Sequence, residues 1–156
     1  MQQFNVKHPM RDSLSKVMEF HEALGAIISK RPTLLQCDVQ QARDVAAELR
    51  RLSEKCAALA DHSGLLFGRL AMDIEELAEW VEAHADGDLV AAADAWGDRQ
   101  YVLLGDAVAT GLPAQDIFDA VHESNMTKVM MPADNLGKAQ KDAGFRKPKL
   151  AHLLEQ

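Results

Sequence analysis

Apolar positions recur along this chain at three- and four-residue intervals, and the recurrence predicts helices almost throughout. The first spans about Asp12 to Leu24, with Leu14, Val17, Met18 and Leu24 at helical spacing and Gly25 as a stop. "AIISKRPTLLQC" breaks the pattern, because Pro32 disfavours helix at Arg31. Asp38 is placed to cap a second helix, "VQQARDVAAELRRLSEKCAALA", with Leu49, Leu52, Cys56 and Leu59 on one side. "DHSG" interrupts, and Ser63 can cap a third helix over Leu65 to Ala85. Gly87 marks a short turn, Asp88 caps a fourth helix through Ala109, and Gly111 ends it. Pro113 opens a fifth in a first-turn position, "AQDIFDAVHESNMTKV", reaching about Val129. From Met130 on, Pro132, Gly137, Gly144 and Pro148 stand among lysines and arginines, so residues 130–156 read as an irregular basic arm with a last turn at "LAHLLEQ". No repeat and no convincing strand is present. The expected fold is all-α, a helical bundle of about five helices, in a single domain over residues 1–156.

On the third helix, Leu70, Ile74, Leu77 and Val81 form an apolar arc, and Glu75, Glu76, Glu79 and Glu82 form another on roughly the opposite side. Alone, such an arc is a solvated face, since like charges at i,i+3 and i,i+4 cost little when exposed. The fourth helix changes the balance. Asp94 and Asp98 share a face with Tyr101, Val102 and Gly105, and from Tyr101 on the helix is apolar nearly all round, as expected of a buried central helix. Asp98 should then point inward, where an unpartnered carboxylate is costly. No cation lies at i±3 or i±4 of it, so its counter-charge must come from another segment or from a metal. The short turn makes the two helices antiparallel neighbours, so that three or four glutamates face two aspartates across one groove. All are hard oxygen donors, which suits Mg²⁺ or Mn²⁺ rather than zinc or copper.

Composition narrows the class. Aromatics are only 5%, which favours helices over β-sandwiches, and the formal charge of −7 offers no basic face for nucleic acid. Cys37 and Cys56 have no metal-binding spacing and read as small apolar residues in a reducing compartment. No signal pattern and no long apolar run is present, so a cytoplasmic location without a membrane partner is expected.

E-E-x-x-E at Glu75, Glu76 and Glu79, then D-x-x-Y at Asp98 to Tyr101, then "SNMTK", together resemble the all-α nucleoside triphosphate pyrophosphohydrolases of the MazG-like superfamily. The likeness is to the phosphoribosyl-ATP pyrophosphohydrolase-like subgroup. "EFHEALGAIISKRP" is also similar to the N-terminal segment of some members, one of which cleaves dUTP, and "GFRKP" to their C-terminal arm. The resemblance covers most of the chain but is thin between Leu34 and Gly64. It implies conversion of a nucleoside triphosphate and water into the monophosphate and pyrophosphate, in a homodimer or homotetramer, with Mg²⁺ (or Mn²⁺) between acidic protein and anionic substrate. Glu75 and Glu76 would be catalytic, Glu76, Glu79, Asp98 and Asp94 metal ligands, and Asn125, Lys128 and Tyr101 substrate contacts. One departure stands out: the superfamily pattern is E-x-x-E followed by E-x-x-D, and Ala95 occupies the position of its last glutamate.

Several of these residues have plainer roles open to them. Tyr101 can be a core residue, and Lys128 can complement a helix dipole. His21 and His122 suit packing or surface, Trp80 and Trp96 helix–helix contact, and Met126, Met130 and Met131 core or a dimer surface. The basic arm is equally a solvated tail or a lid over phosphates. A rival of another class is a non-catalytic oligomerisation or adaptor module that kept the fold and lost full metal binding.

Overall fold

A computed structural model describes residues 9–128 and 139–155, without the side chains of Pro9 and residues 61–63. Six helices follow one another: α1 (Pro9–Leu24), α2 (Val39–Ser63), α3 (Leu65–Asp86), α4 (Leu89–Thr110), α5 (Ala114–Asn125) and the single turn α6 (Ala151–Leu154). No strand occurs among the described residues, so the fold is all-α. Val129, the expected end of the fifth helix, lies outside the described residues, as do Met130, Met131 and Lys138.

The starts and stops obey local chemistry, with three departures from the pattern. Asp38 and Asp88 cap as expected, accepting hydrogen bonds from Gln41 N and from Val90 N and Ala91 N. Gly87 and Gly111 close α3 and α4 in the left-handed conformation, which glycine adopts without a Cβ penalty. Ser63, however, is not the cap of α3; it is the last residue of α2. Gly64 alone separates the two helices, at φ 82° and ψ −167°, a region open essentially to glycine. Pro113 is the N-cap of α5 rather than its first-turn residue. Helix α1 starts at Pro9, three residues before Asp12, because proline is well tolerated in a first turn.

The described residues fall into two compact units. One runs from Arg31 to Gly111 and holds α2, α3 and α4; the other combines the flanking segments, up to Lys30 and from Leu112. In the first unit α3 packs against α2 on one side and α4 on the other. Ser53 and Ala71 meet near the Gly64 turn and Arg43 and Asp86 at the far end, so α2 and α3 are antiparallel. The seams are lined mostly by small residues, Ala42, Ala46, Ser53 and Cys56 on α2, Ala71 and Ala78 on α3, and Ala92 and Ala95 on α4, with Ile74 the one large buried side chain among them. Small side chains let helix axes approach closely. Buried Ser53 donates from Oγ to the Ala71 carbonyl at 2.9 Å, which satisfies its hydroxyl and fixes the relative height of α2 and α3.

The central helix is therefore α3, and the expectation of a buried α4 is corrected. Tyr101 is 81% and Val108 85% exposed, and Leu104 joins them in one i, i+3, i+7 stripe. Periodicity registers that a helix is apolar on most sides but not how many neighbours one chain can supply.

In the flanking unit α1 lies on α5. Lys16 pairs with Asp119 at 2.7 Å and holds its carboxyl below the usual aspartate range, mainly through that hydrogen bond. His122 meets Glu19 at 3.4 Å, a packing role of the kind expected for it. Part of the arm rests on α5: Ser124 Oγ donates to the Arg146 carbonyl at 2.7 Å, and Arg146 N donates to Thr127 Oγ1 at 2.9 Å. Two residues of "SNMTK" thus hold the chain's own C-terminal segment.

Near the Gly64 end of the α3–α4 seam, Arg69 pairs with Asp106 at 2.6 Å and donates to the Val102 carbonyl. It can do so because position 105 is glycine: a Cβ there would stand 2.5 Å from its guanidinium. Gly97, on the same helix, has nothing within 4 Å of a would-be Cβ. Gly97→Ala is expected to raise stability by about 1 kcal/mol through helix propensity. Gly105→Ala must displace Arg69 and should forfeit that gain or reverse it. Thermal or urea unfolding of both variants checks this, and equal stabilisation would contradict the packing.

Candidate functional site

The glutamates of α3 do not form one wet face. Glu75, Glu79 and Glu82 turn toward α2 and converge on a residue that sequence reasoning missed, Arg50. Its Nε and one terminal nitrogen grip Glu82 Oε1 and Oε2 at 3.0 and 2.7 Å, a two-pronged pair. Glu79 Oε1 is held more loosely, at 3.4 and 3.5 Å, and Glu75 Oε1 lies 3.8 Å away. The guanidinium is pushed further above its already high value by the Glu82 hydrogen bond, against the opposing effect of burial, with Glu82 and Glu79 charge adding to it. Arg50 lies 25, 29 and 32 residues before its three partners, a separation no helical period exposes. Its only local signal was a cation on the helix preceding an acidic one.

Glu76 is different. Its Oε2 is buried and has no hydrogen-bond partner. Burial raises its proton affinity first, the charges of Glu79, Asp98 and Glu75 raise it further, and Arg50 lowers it in part. Asp98 of α4 is therefore an electrostatic neighbour of Glu76, as antiparallel packing requires. The inward direction expected of Asp98 is not found: both Asp98 and Asp94 are exposed in the single chain. The expected groove of three or four glutamates facing two aspartates reduces to Glu76 with Asp98. Ala95 is 3% exposed and Ala78 fully buried, so the position where the superfamily carries its last glutamate lies inside the α3–α4 seam. A carboxylate that could have joined Glu76 is replaced there by a methyl group.

Tyr101 is not a core residue of this chain, since it stands on the exposed stripe of α4. Asn125 and Lys128 belong to the flanking unit, at the C-terminal end of α5. Trp80 lies under the Arg99 guanidinium, 5.0 Å from the ring centroid, which makes it a helix–helix contact as expected. Trp96 is half exposed and borders an open groove of about 320 Å³ with Asp73, Leu77, Arg99 and Leu103. Asp73, one helical turn before Glu76, has its proton affinity raised by burial and then by the neighbouring Asp106 carboxyl.

A family model described as phosphoribosyl-ATP pyrophosphohydrolase matches residues 17–125, from the second half of α1 to the end of α5. The chain belongs to that family. It is a MazG-like all-α family whose chemistry is pyrophosphohydrolysis of a nucleotide. Searches of curated proteins and of solved structures gave no match. For a pyrophosphohydrolase the donor set fits a hard divalent ion in kind: carboxylate oxygens only, one of them buried and without a partner. It is not gathered for chelation, since no group of three His, Cys, Asp or Glu side chains among the described residues is placed to hold a metal. Glu75, Glu79 and Glu82 are instead engaged by Arg50 of α2.

The raised proton affinity of Glu76 has a definite sign. The folded state binds this proton more readily than the unfolded chain, so the contribution is fully present below the ordinary glutamate value of 4.5 and is lost as pH rises through the raised value. At neutral pH the ionised carboxylate, with one oxygen buried and unpartnered, is a cost. With chelator present, Glu76→Gln is expected to melt above wild type at pH 7 and to converge with it near pH 4. A gap that stays constant across that range, or has the opposite sign at pH 7, would refute the burial of Glu76.

Proposed function

We propose that the chain is a divalent-metal-dependent nucleoside triphosphate pyrophosphohydrolase, converting a ribo- or deoxyribonucleoside triphosphate and water into the monophosphate and pyrophosphate. The observation that carries this is the buried, unpartnered Glu76 oxygen beside Asp98, in a chain of pyrophosphohydrolase lineage. Native folds rarely leave such an atom without a ligand or a reason. Glu76, Glu79 and Asp98 would hold Mg²⁺ or Mn²⁺, with Asp94 in support. When bound, a divalent ion supplies charge neutralisation for the phosphates and a lowered pKa for coordinated water.

The chain's own groups then have separate tasks. Glu75 and Glu76 are assigned to activating the attacking water by the resemblance of the E-E-x-x-E motif, and Glu75, outside the assigned ligand set, is the one free to take its proton. Water oxygen bonds to phosphorus at the α–β anhydride, the bridging P–O bond breaks, and the proton that water gives up passes to carboxylate. Asn125 and Lys128 are assigned to sugar and phosphate by the resemblance of "SNMTK" alone. The exposed stripe of Tyr101, Leu104 and Val108 is the face assigned to a second copy, in a homodimer or homotetramer, and Tyr101 would meet substrate only in that setting. The free Cys37 and Cys56 suit a reducing, cytoplasmic location, and a nucleotide-pool role follows from the resemblance alone. No helix among the described residues is long and apolar enough to cross a membrane.

A second reading has one observation in its favour. The buried Ala95 removes a carboxylate from the seam, as in an adaptor that kept the fold and gave up full metal binding. A panel of ribo- and deoxyribonucleoside triphosphates and phosphoribosyl-ATP, with Mg²⁺ and pyrophosphate release as the readout, separates the two. The enzyme reading predicts turnover on at least one nucleotide and a loss of roughly 10²–10³-fold in Glu79→Gln, the scale of removing one charge-stabilising group. No release from any nucleotide would favour the adaptor, whereas wild-type turnover in Glu79→Gln would leave the enzyme standing and remove Glu79 from its site.

A further inference from the structure

The grip of Arg50 on the acidic arc is uneven, and the unevenness has a consequence for cation binding. Glu82, which is not among the assigned metal ligands, takes two short hydrogen bonds from it. Glu79, which is among them, takes only long ones from terminal nitrogens of the same fork. Beyond the guanidinium lies an open groove of about 450 Å³, bordered by Arg43, Ala47 and Arg51 of α2 and by Asp86 of α3. Arg50 therefore has an anchor that it can keep, a partner that it can give up and space into which it can turn.

We infer that Arg50 is a resident counter-cation of the α3 glutamates, and that it must release Glu79, pivoting on Glu82, before a divalent ion can be held between Glu79, Glu76 and Asp98. The inference rests on the metal-site assignment above and adds the residue that sets its threshold. The physics is competition. A fixed positive charge beside Glu79 repels an incoming dication and occupies the oxygen that would ligate it. With Arg50 in place part of the carboxylate charge is offset without metal, which stabilises the chain and holds back cation binding. A phosphate-bearing substrate that brings its own Mg²⁺ supplies the free energy for the exchange.

This arrangement predicts opposite signs for stability and affinity. Metal-free Arg50→Met should melt below wild type, because three carboxylates lose their counter-charge. The same variant should bind Mn²⁺ roughly tenfold more tightly by calorimetry, as expected when a like charge a few ångströms from the ion is removed, and its melting temperature should rise further on adding Mn²⁺. Arg50→Lys keeps the charge but not the fork, cannot grip Glu82 twice while reaching Glu79, and should fall between the two; it carries the test if Arg50→Met does not fold. Binding by Arg50→Met where wild type shows none also supports the gate. Unchanged or weaker Mn²⁺ affinity in both variants, with wild type binding, overturns the role of Arg50 and leaves the metal site standing. No Mn²⁺ binding by wild type or either variant overturns the metal site, and the gate with it.

Discussion

Three glutamates on one face of α3 set the terms for the central unit. At i, i+4 and i+7 their charges repel along the helix, and α3 lies between two neighbours, so the arc cannot be left wholly to water. One guanidinium on α2 meets all three. That contact needs α2 at one height and one rotation relative to α3, and the elements around it supply both. Gly64 turns the chain within a single residue, Ser53 locks onto the Ala71 carbonyl, and the small side chains of the seam admit the approach. An arginine suits the place better than a lysine because its rigid fork can hold one carboxylate bidentately while reaching another.

Stability and function pull on the same side chains here. An acidic cluster free for metal is costly to the metal-free fold, and such conflicts are ordinary at functional sites. In this chain Arg50 offsets part of the charge of Glu75, Glu79 and Glu82, while Glu76 keeps a buried oxygen with no partner. The same helix thus carries a set paired with an arginine and a carboxylate oxygen left without a partner. Ala95 in the second seam lowers the number of carboxylates that must be accommodated, at the expense of a possible ligand.

Much of this was legible in the sequence where the signal is local. Asp38, Asp88, Gly87 and Gly111 announced their helix ends, since capping and left-handed stops depend on one or two residues. The E-E-x-x-E spacing and "SNMTK" pointed to the family that the match over residues 17–125 shows. What failed was non-local. Arg50 could not be paired with Glu79 and Glu82 until α2 and α3 were placed side by side. Asp98 was assigned inward because α4 is apolar nearly all round, yet α4 has a single strong helix neighbour and leaves its stripe exposed. Ser124 and Thr127 were read only as part of a motif, whereas their hydroxyls hold the chain's own C-terminal segment.

The pairing of Arg50 with the α3 carboxylates is tested most directly by a double-mutant cycle in the metal-free protein. Unfolding free energies of wild type, Arg50→Met, Glu82→Gln and the double variant yield the coupling between the two side chains. The pair is half-exposed but bidentate, so a favourable coupling of about 1 kcal/mol is predicted, near the upper end for solvent-accessible pairs and below that of a fully buried one. Additive effects, with the coupling indistinguishable from zero, would show that Arg50 does not hold the arc.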